Sequence, residues 1–290
     1  MTINGVRYTS FSTVLSSVIA ALLLLEVTTA TSVSASGGVE LPRSAGTVAA
    51  DVLVQGAVDI EVQPLIAALE SSQEIQLAAW TFWQGKIGGK SVVVSRTEVG
   101  PINATAATTL GILTFRPQLV INQGTAGAQV PQLKVFDIVV GQATTDYSAF
   151  VSAPARSGKG STMSRWRPIY HSLRIDGRPR EFKGGFPGDE VALGVALSTQ
   201  YPQGRVIKGV IGSAYQFNNE IDRLNWLHKT YGTVSEDMES VFAAGAALAL
   251  NTRFLAIRVI SDSDFSDPQG KPAAAQHGAD FVVSVIKGLP

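Results

Sequence analysis

Residues 235–264 place the strongest constraint on the fold of this 290-residue chain. Residues 241–250 are mostly Ala and Leu, which favours a helix, and Asn251 is suited to end it because Asn tolerates the left-handed conformation. Residues 254–260 are apolar except for Arg258 and rich in β-branched side chains, which is typical of a strand buried on both faces. A helix that leads directly into such a strand predicts a parallel sheet covered by helices.

The rest of the chain alternates in the same way between short apolar strands and helices. We predict strands at residues 51–55, 119–122, 137–141 and 206–212, and a hairpin over residues 77–95 with a Gly-rich turn at 85–89. We predict helices from about Pro64 to Ser71, from Pro101 to before Pro117, and at residues 189–198, 220–229 and 279–289. Residues 144–189 are less regular and are expected to form a long excursion, as lids, binding loops and interfaces often do. The pattern predicts a single α/β domain whose central sheet is mixed, largely parallel and flanked by helices.

The first 35 residues have the features of a signal peptide. Arg7 supplies a positive charge, residues 14–25 are almost entirely apolar, and Val33-Ser34-Ala35 offers a cleavage site of small residues. We therefore expect an exported, periplasmic or secreted protein with a linker at residues 36–50 and a catalytic domain at 51–290. An uncleaved anchor or a misassigned start stays open, although the apolar run is shorter than the roughly 20 residues that a membrane span needs.

The balance of charges limits the partners. Lys and Arg total 23 and so do Asp and Glu, so the chain lacks the basic excess that binders of nucleic acid or anionic membranes use. Cysteine is absent, which excludes disulfides and thiolate chemistry. The three histidines, at 171, 228 and 277, have no metal-ligand spacing. We expect no metal, no cofactor, and a small molecule as the binding partner.

Three carboxylates lie where predicted strands or helices begin or end. Glu61 follows the first strand and a Gly turn, at the sheet edge where doubly wound sheets bind ligands, although a carboxylate there also suits a helix start. Glu239 precedes a helix and Asp262 ends a strand. Carboxyl groups that share one cleft have different pKa values, which separates an acid from a base.

Two loops could approach a ligand. Residues 123–128 are small, and Gly124 among them allows a close approach to the backbone, although tight packing explains such residues equally well. Tyr215, Gln216 and Phe217 lie in the loop after a predicted strand. Their rings and amide could stack on and bind a planar heterocycle, or they could belong to an interface.

Several motifs in the same order resemble one enzyme family. Asp237-Met238-Glu239 and Ile260-Ser261-Asp262 resemble the Glu-Met-Glu and Ile-Ser-Asp signatures of the methylthioadenosine/S-adenosylhomocysteine nucleosidases, members of the nucleoside phosphorylase-I superfamily. Residues 55–61 resemble the family's Gly-Ala-Met-Glu-Glu-Glu segment, and residues 120–127 resemble its Ile-Ile-Asn-Thr-Gly-Ser-Ala-Gly segment. The resemblance covers nearly all of the chain after the signal segment. It implies hydrolysis of the N-glycosidic bond of a purine nucleoside.

The resemblance also implies a role for individual residues. By this likeness, Glu61 activates the water, Asp262 protonates N7 of the purine, and Glu239 binds the ribose hydroxyls. The other implied roles are lining the sugar for Met238, support of Glu239 for Arg258, base stacking for Tyr215 and holding the water for Thr97. A homodimer with residues 144–189 near the partner is implied as well.

Two alternative functions stay open. A phosphorylase would use the same cleft with phosphate in place of water, and Arg96 is a candidate phosphate ligand. Gln55, Asp59 and Glu61 form a neighbourhood that repels a dianion, so hydrolysis is favoured. An exported nucleoside-binding protein without catalysis is the second alternative, because a fold does not determine function. Export favours the salvage of external nucleosides.

Overall fold

The computed structural model describes residues 49–290. The predicted signal peptide and all but the last two residues of the predicted linker lie outside the described residues. None of the helices in the described range has the length and the apolar character needed to span a bilayer.

The described chain contains six α-helices and fourteen strands. The strands are β1 (Val52–Gly56), β2 (Glu70–Leu77), β3 (Trp80–Ile87), β4 (Lys90–Arg96), β5 (Leu119–Ala128), β6 (Ile138–Asp146), β7 (Phe150–Val151), β8 (Arg167–Pro168), β9 (His171–Ile175), β10 (Arg178–Lys183), β11 (Gly185–Pro187), β12 (Val206–Ser213), β13 (Thr233–Asp237) and β14 (Arg253–Asp262). The helices are α1 (Asp59–Ala67), α2 (Pro101–Phe115), α3 (Glu190–Ser198), α4 (Ile221–Tyr231), α5 (Ser240–Ala249) and α6 (Ala273–Gly288).

Five strands of the central sheet close into a barrel. β5 pairs with β14, β14 with β6, β6 with β12, β12 with β13, and β13 again with β5. β1 pairs with the first half of β5, and β4, β3 and β2 follow outward from it. β5 is parallel to β1 and β14 but antiparallel to β13, so the sheet is mixed. The predicted α/β domain with a mixed central sheet is confirmed.

Both faces of the sheet are buried, as the apolar strands predict. Along β1, Val54 faces a cluster that includes Phe281 of α6, and Leu53 faces a second cluster that includes Phe115 of α2. Successive side chains of a strand point to opposite faces, so one apolar strand supplies both clusters. The carboxyl ends of β1, β5 and β14 are held at one edge by this packing.

The first helix and the hairpin differ from the sequence prediction. α1 begins at Asp59, so Pro64 lies inside the helix and not in its first turn, and the helix ends at Ala67. The Glu61 carboxylate explains the earlier start, because it accepts the free backbone N–H groups of Ala57 and Val58. The predicted strand at 77–84 is divided by a turn in which Ala78 has a φ of +50°, and an additional strand, β2, precedes it.

Two further segments differ in a way that matters for the site. Residues 123–128 continue β5 instead of forming a loop, because their small side chains still allow ladder hydrogen bonds to β13 and β14. Residues 233–237 form β13, which the sequence prediction missed. Glu236 and Asp237 therefore lie on a barrel strand.

Candidate active site

A cavity of about 210 Å³, partly open to solvent, lies where β5, β13 and β14 meet the start of α1. Six acidic residues line it, and no Lys, Arg or His is among the described lining residues. The acidic residues are Glu61, Glu236, Asp237, Glu239, Asp262 and Asp264.

Glu61 is held by four donors. Its Oε2 accepts hydrogen bonds from the backbone N–H of Ala57 at 2.8 Å and of Val58 at 3.3 Å. Its Oε1 accepts from the backbone N–H of Thr125 at 2.8 Å and from the Thr125 hydroxyl at 3.0 Å. Gly124 makes room for this carboxylate, since a Cβ at that position would lie 2.8 Å from Glu61 Oε1. The Glu61 side chain therefore stabilises the start of α1 and also lines the cavity.

Glu239 follows the end of β13 and directly precedes α5. Its Oε1 accepts the backbone N–H of Gly100 at 2.9 Å, and Gly100 has a φ of +98°, which a side chain would strain. Burial, and next the Asp237 carboxylate, raise the pKa of Glu239 to about 7, while Arg258 acts in the opposite direction.

Arg258 serves Asp237 more directly than Glu239. Its Nε lies 2.7 Å from Asp237 Oδ2, whereas its Nη2 lies 3.9 Å from Glu239 Oε2. Its other guanidinium nitrogens donate to the carbonyl and the side-chain oxygen of Asn122. Asp237 also accepts from the backbone N–H groups of Glu239 and Ser240. Arg258 therefore supports Glu239 through a long ion pair and also through Asp237, and it does not line the cavity.

Asp262 ends β14 on the cavity wall. The Ser261 hydroxyl donates to its Oδ1 at 2.6 Å. Burial raises the pKa of Asp262 above its ordinary value, the Ser261 hydrogen bond acts in the opposite direction, and Asp264 raises it. A carboxyl group with a raised pKa keeps its proton to higher pH, which suits a general acid.

Glu236 is a cavity residue that the sequence prediction missed. It is only 8% exposed, and its carboxylate accepts from Gln129, Tyr147 and Asn218. Burial raises the pKa of Glu236, and these hydrogen bonds act in the opposite direction. The sequence prediction missed Glu236 because it missed strand β13. The pairing of β13 and β14 with β5 places Glu236 and Asp262 on either side of the same residue, Gly127.

Comparison with known proteins identifies the family from the chain as a whole. The model of the phosphorylase superfamily matches residues 51–287. The chain belongs to this superfamily.

Named proteins similar to this chain match it over about the same length. The 5'-methylthioadenosine/S-adenosylhomocysteine nucleosidase of Geobacillus sp. is 26% identical over 246 residues, which are 82% of this chain and 98% of the relative. The structure of the enzyme of that name from Neisseria meningitidis, in complex with methylthio-immucillin-A, has a TM-score of 0.66 at 24% identity and covers 82% of this chain and 99% of the other. Futalosine hydrolase of Helicobacter pylori also has a TM-score of 0.66, at 22% identity, with 82% and 97% covered.

Six of the residues predicted from the sequence line the cavity. They are Glu61, Gln216, Phe217, Met238, Glu239 and Asp262. Gly124 lies behind Glu61. Thr97 is fully buried and does not line the cavity, and its hydroxyl lies within hydrogen-bond distance of the carbonyl oxygens of Gly56, at 3.3 Å, and Glu98, at 3.0 Å.

Tyr215 is placed differently from the predicted stacking position. Tyr215 and Phe217 are both largely exposed, at 70% and 75%, but the ring of Tyr215 lies against Gly100 and Tyr215 is not among the lining residues. Phe217, two residues later in the same loop, lines the cavity instead. The loop after β12 therefore offers Phe217 to a planar ligand and leaves Tyr215 as cover for Gly100.

Arg96, the candidate phosphate ligand, is bound to two carboxylates. Its Nη1 lies 2.6 Å from Asp59 Oδ1 and its Nη2 lies 2.9 Å from Glu98 Oε1. It does not line the cavity. Within residues 49–290, no group of three His, Asp or Glu side chains is arranged to hold a metal ion.

Proposed function

We propose that this protein is a nucleosidase that hydrolyses the N-glycosidic bond of a purine nucleoside and releases the free base and ribose or a 5-substituted ribose. The observation that carries the proposal is that Glu61, Glu239 and Asp262, which are distant in sequence, line one cavity. The names of the full-length relatives support the same reaction.

Hydrolysis of this bond passes through an oxocarbenium-like sugar. An inverting glycosidase uses one carboxyl group to protonate the leaving group and another to activate water on the opposite face of the ring, and we apply this logic by analogy. Asp262 is the proposed acid toward N7, because its raised pKa favours the protonated form. Glu61 is the proposed base, and four donors hold its carboxylate in place.

Glu239 is proposed to bind the ribose hydroxyls. The backbone N–H of Gly100 occupies its Oε1, and its Oε2 receives only a 3.3 Å contact from the Met238 N–H and a distant Arg258. A carboxylate in this position accepts hydrogen bonds from sugar hydroxyls, and these orient the sugar for attack. Met238 lines the same region and supplies an apolar surface.

Phosphorolysis is less compatible with the charges of the cavity. A phosphate dianion would meet six acidic residues, of which Asp237 is paired with Arg258, and no lining Lys, Arg or His within the described residues. Arg96 is neutralised by Asp59 and Glu98. Water carries no charge and has no such barrier.

A non-catalytic binding protein is the second alternative. A protein that only stores a nucleoside has little use for a carboxyl group of raised pKa at one strand end and a carboxylate fixed by four donors at another. This combination favours catalysis.

The test incubates the protein with adenosine, inosine, methylthioadenosine or uridine, each with and without phosphate. Chromatography then measures the release of free base. We expect purine release without phosphate and a strong loss in Glu61→Gln. Strict dependence on phosphate would replace hydrolysis with phosphorolysis, and binding without release by a folded protein would favour the storage role. Export and dimerisation stay predictions, tested by cell fractionation and by ultracentrifugation.

A further inference from the structure

Gly127 lies between two carboxylates on neighbouring strands. The register pairs Gly127 with Glu236 of β13 on one side and with Asp262 of β14 on the other. A Cβ on Gly127 would lie 3.3 Å from Asp262 Oδ2 and 4.0 Å from Glu236 Oε1. The missing side chain therefore leaves a slot whose two walls are the acid proposed for N7 and a second buried carboxylate.

The two oxygens of Glu236 are not equivalent. Oε2 accepts from Gln129 Nε2 at 2.8 Å, Tyr147 Oη at 3.1 Å and Asn218 Nδ2 at 2.8 Å. Oε1 accepts only the backbone N–H of Asn218, at 3.1 Å. Oε1 is also the oxygen nearer to Gly127. The donors thus fix the carboxylate and leave acceptor capacity on the side of the slot.

The chemistry of a purine fits this slot. When N7 faces Asp262, the next groups around the base are the substituent at C6 and then N1. Adenine-type bases carry an N–H donor on the 6-amino group, and 6-oxopurines carry one on N1. A second carboxylate one strand spacing beyond Gly127 is placed to accept such a donor.

We propose that Glu236 determines base specificity by accepting, through Oε1, a hydrogen bond from an N–H on the six-membered ring edge of the purine. The inference rests on the proposed nucleosidase function and deepens it. A purely structural role explains why Oε2 accepts three hydrogen bonds, but it does not explain why the residue is a carboxylate. The amide oxygen of a Gln could accept the same hydrogen bonds without the cost of a buried charge.

The experiment compares matched nucleosides in the wild type and in Glu236→Gln. Adenosine is paired with N6,N6-dimethyladenosine, which lacks both N–H bonds of the 6-amino group, and inosine with 1-methylinosine, which lacks the single N–H on N1. In the variant, the side-chain oxygen should stay at the Oε2 position because three donors surround it, which turns the NH2 group toward the slot. In each pair, the ratio compared is kcat/KM of the unmethylated nucleoside divided by kcat/KM of the methylated one. In the pair that uses Glu236, this ratio should be about ten- to a hundredfold lower in the variant than in the wild type.

Tyr147→Phe is the matched control. It removes one donor to Oε2 but leaves Oε1 unchanged, so the ratios should stay as in the wild type. Glu236→Asp, which retains the charge but retracts the acceptor, should lower the ratio as well and serves if Glu236→Gln does not fold. The pair that responds identifies the 6-amino group or N1 as the donor.

Two results would overturn the proposal. One is an active Glu236→Gln or Glu236→Asp variant with unchanged ratios in both pairs, and the other is an equal change in Tyr147→Phe. If the wild type releases no base, the proposed function fails, and calorimetry with the free bases then tests Glu236 separately. The wild type should bind adenine or hypoxanthine more tightly than the corresponding methylated base, and equal affinities within both pairs would refute the role of Glu236.

Discussion

Replacement of Gly124 by Ala tests whether the position of Glu61 controls the reaction. The added Cβ would lie 2.8 Å from Glu61 Oε1 and 3.1 Å from its carboxyl carbon, which is closer than such contacts allow. The carboxylate must move by about half an ångström, and the two 2.8 Å bonds from Ala57 and Thr125 cannot both persist. Because a misplacement of about 1 Å can cost about a hundredfold in rate, we expect kcat to fall by about ten- to a hundredfold.

The assay is the initial rate of base release, with circular dichroism as the check on folding. Gly194→Ala is the matched control, because it makes the same chemical change inside α3, where a Cβ has no neighbour within 4 Å. Removing a glycine from a helix interior should stabilise the fold by about 0.5–1 kcal/mol without affecting turnover.

A double variant determines whether the effect passes through Glu61. In a Glu61→Gln background, Gly124→Ala should cost little more, since the group that it displaces is already inactive. A normal rate in Gly124→Ala would refute the reasoning. An undiminished loss in the double variant would show that the added methyl group acts elsewhere.

Three further substitutions have defined outcomes. Asp262→Asn should lower turnover on purine nucleosides by about 10²- to 10⁴-fold, because an amide cannot protonate N7, and a near-normal rate would remove Asp262 from the acid role. Because folding raises the pKa of Glu239 from 4.5 to about 7, the folded state binds more protons between these values, and stability falls as pH rises through them. Glu239→Gln should remove on the order of 3 kcal/mol of this pH dependence in denaturant titrations, and parallel curves for variant and wild type would contradict the shift. Arg258→Met leaves Asp237 buried without its partner and should reduce the free energy of unfolding by about 3–5 kcal/mol, so a loss below about 1 kcal/mol would show that the pair is dispensable.

The main elements of the fold follow from local sequence. The buried strand β14, the Ala-rich helix α5 and the left-handed Asn251 after it were all predictable, because apolar composition and capping preferences act within a few residues. Strand β13 was not, because its acidic residues have low strand propensity and are held there by pairing with β5 and β12. The closure of the barrel depends on the same long-range pairing.

The residues of the candidate site also fall into those that the sequence predicts and those that depend on long-range pairing. Glu61, Glu239 and Asp262 could be selected because family motifs mark them, and the structure brings all three to one cavity. Glu236 could not, since its importance arises from the register across Gly127. The shorter distance from Arg258 to Asp237 than to Glu239 and the position of the Tyr215 ring against Gly100 depend on distances of a few ångströms, which sequence spacing does not contain.

The most direct measurement is the fate of the sugar when the purified protein acts on inosine and adenosine in H2¹⁸O that also contains phosphate. Hydrolysis at this acidic cavity predicts free base and ribose that carries one ¹⁸O atom at C1, at a rate that phosphate does not increase. Ribose 1-phosphate as the product, or no cleavage of any purine nucleoside by a folded protein, would contradict it.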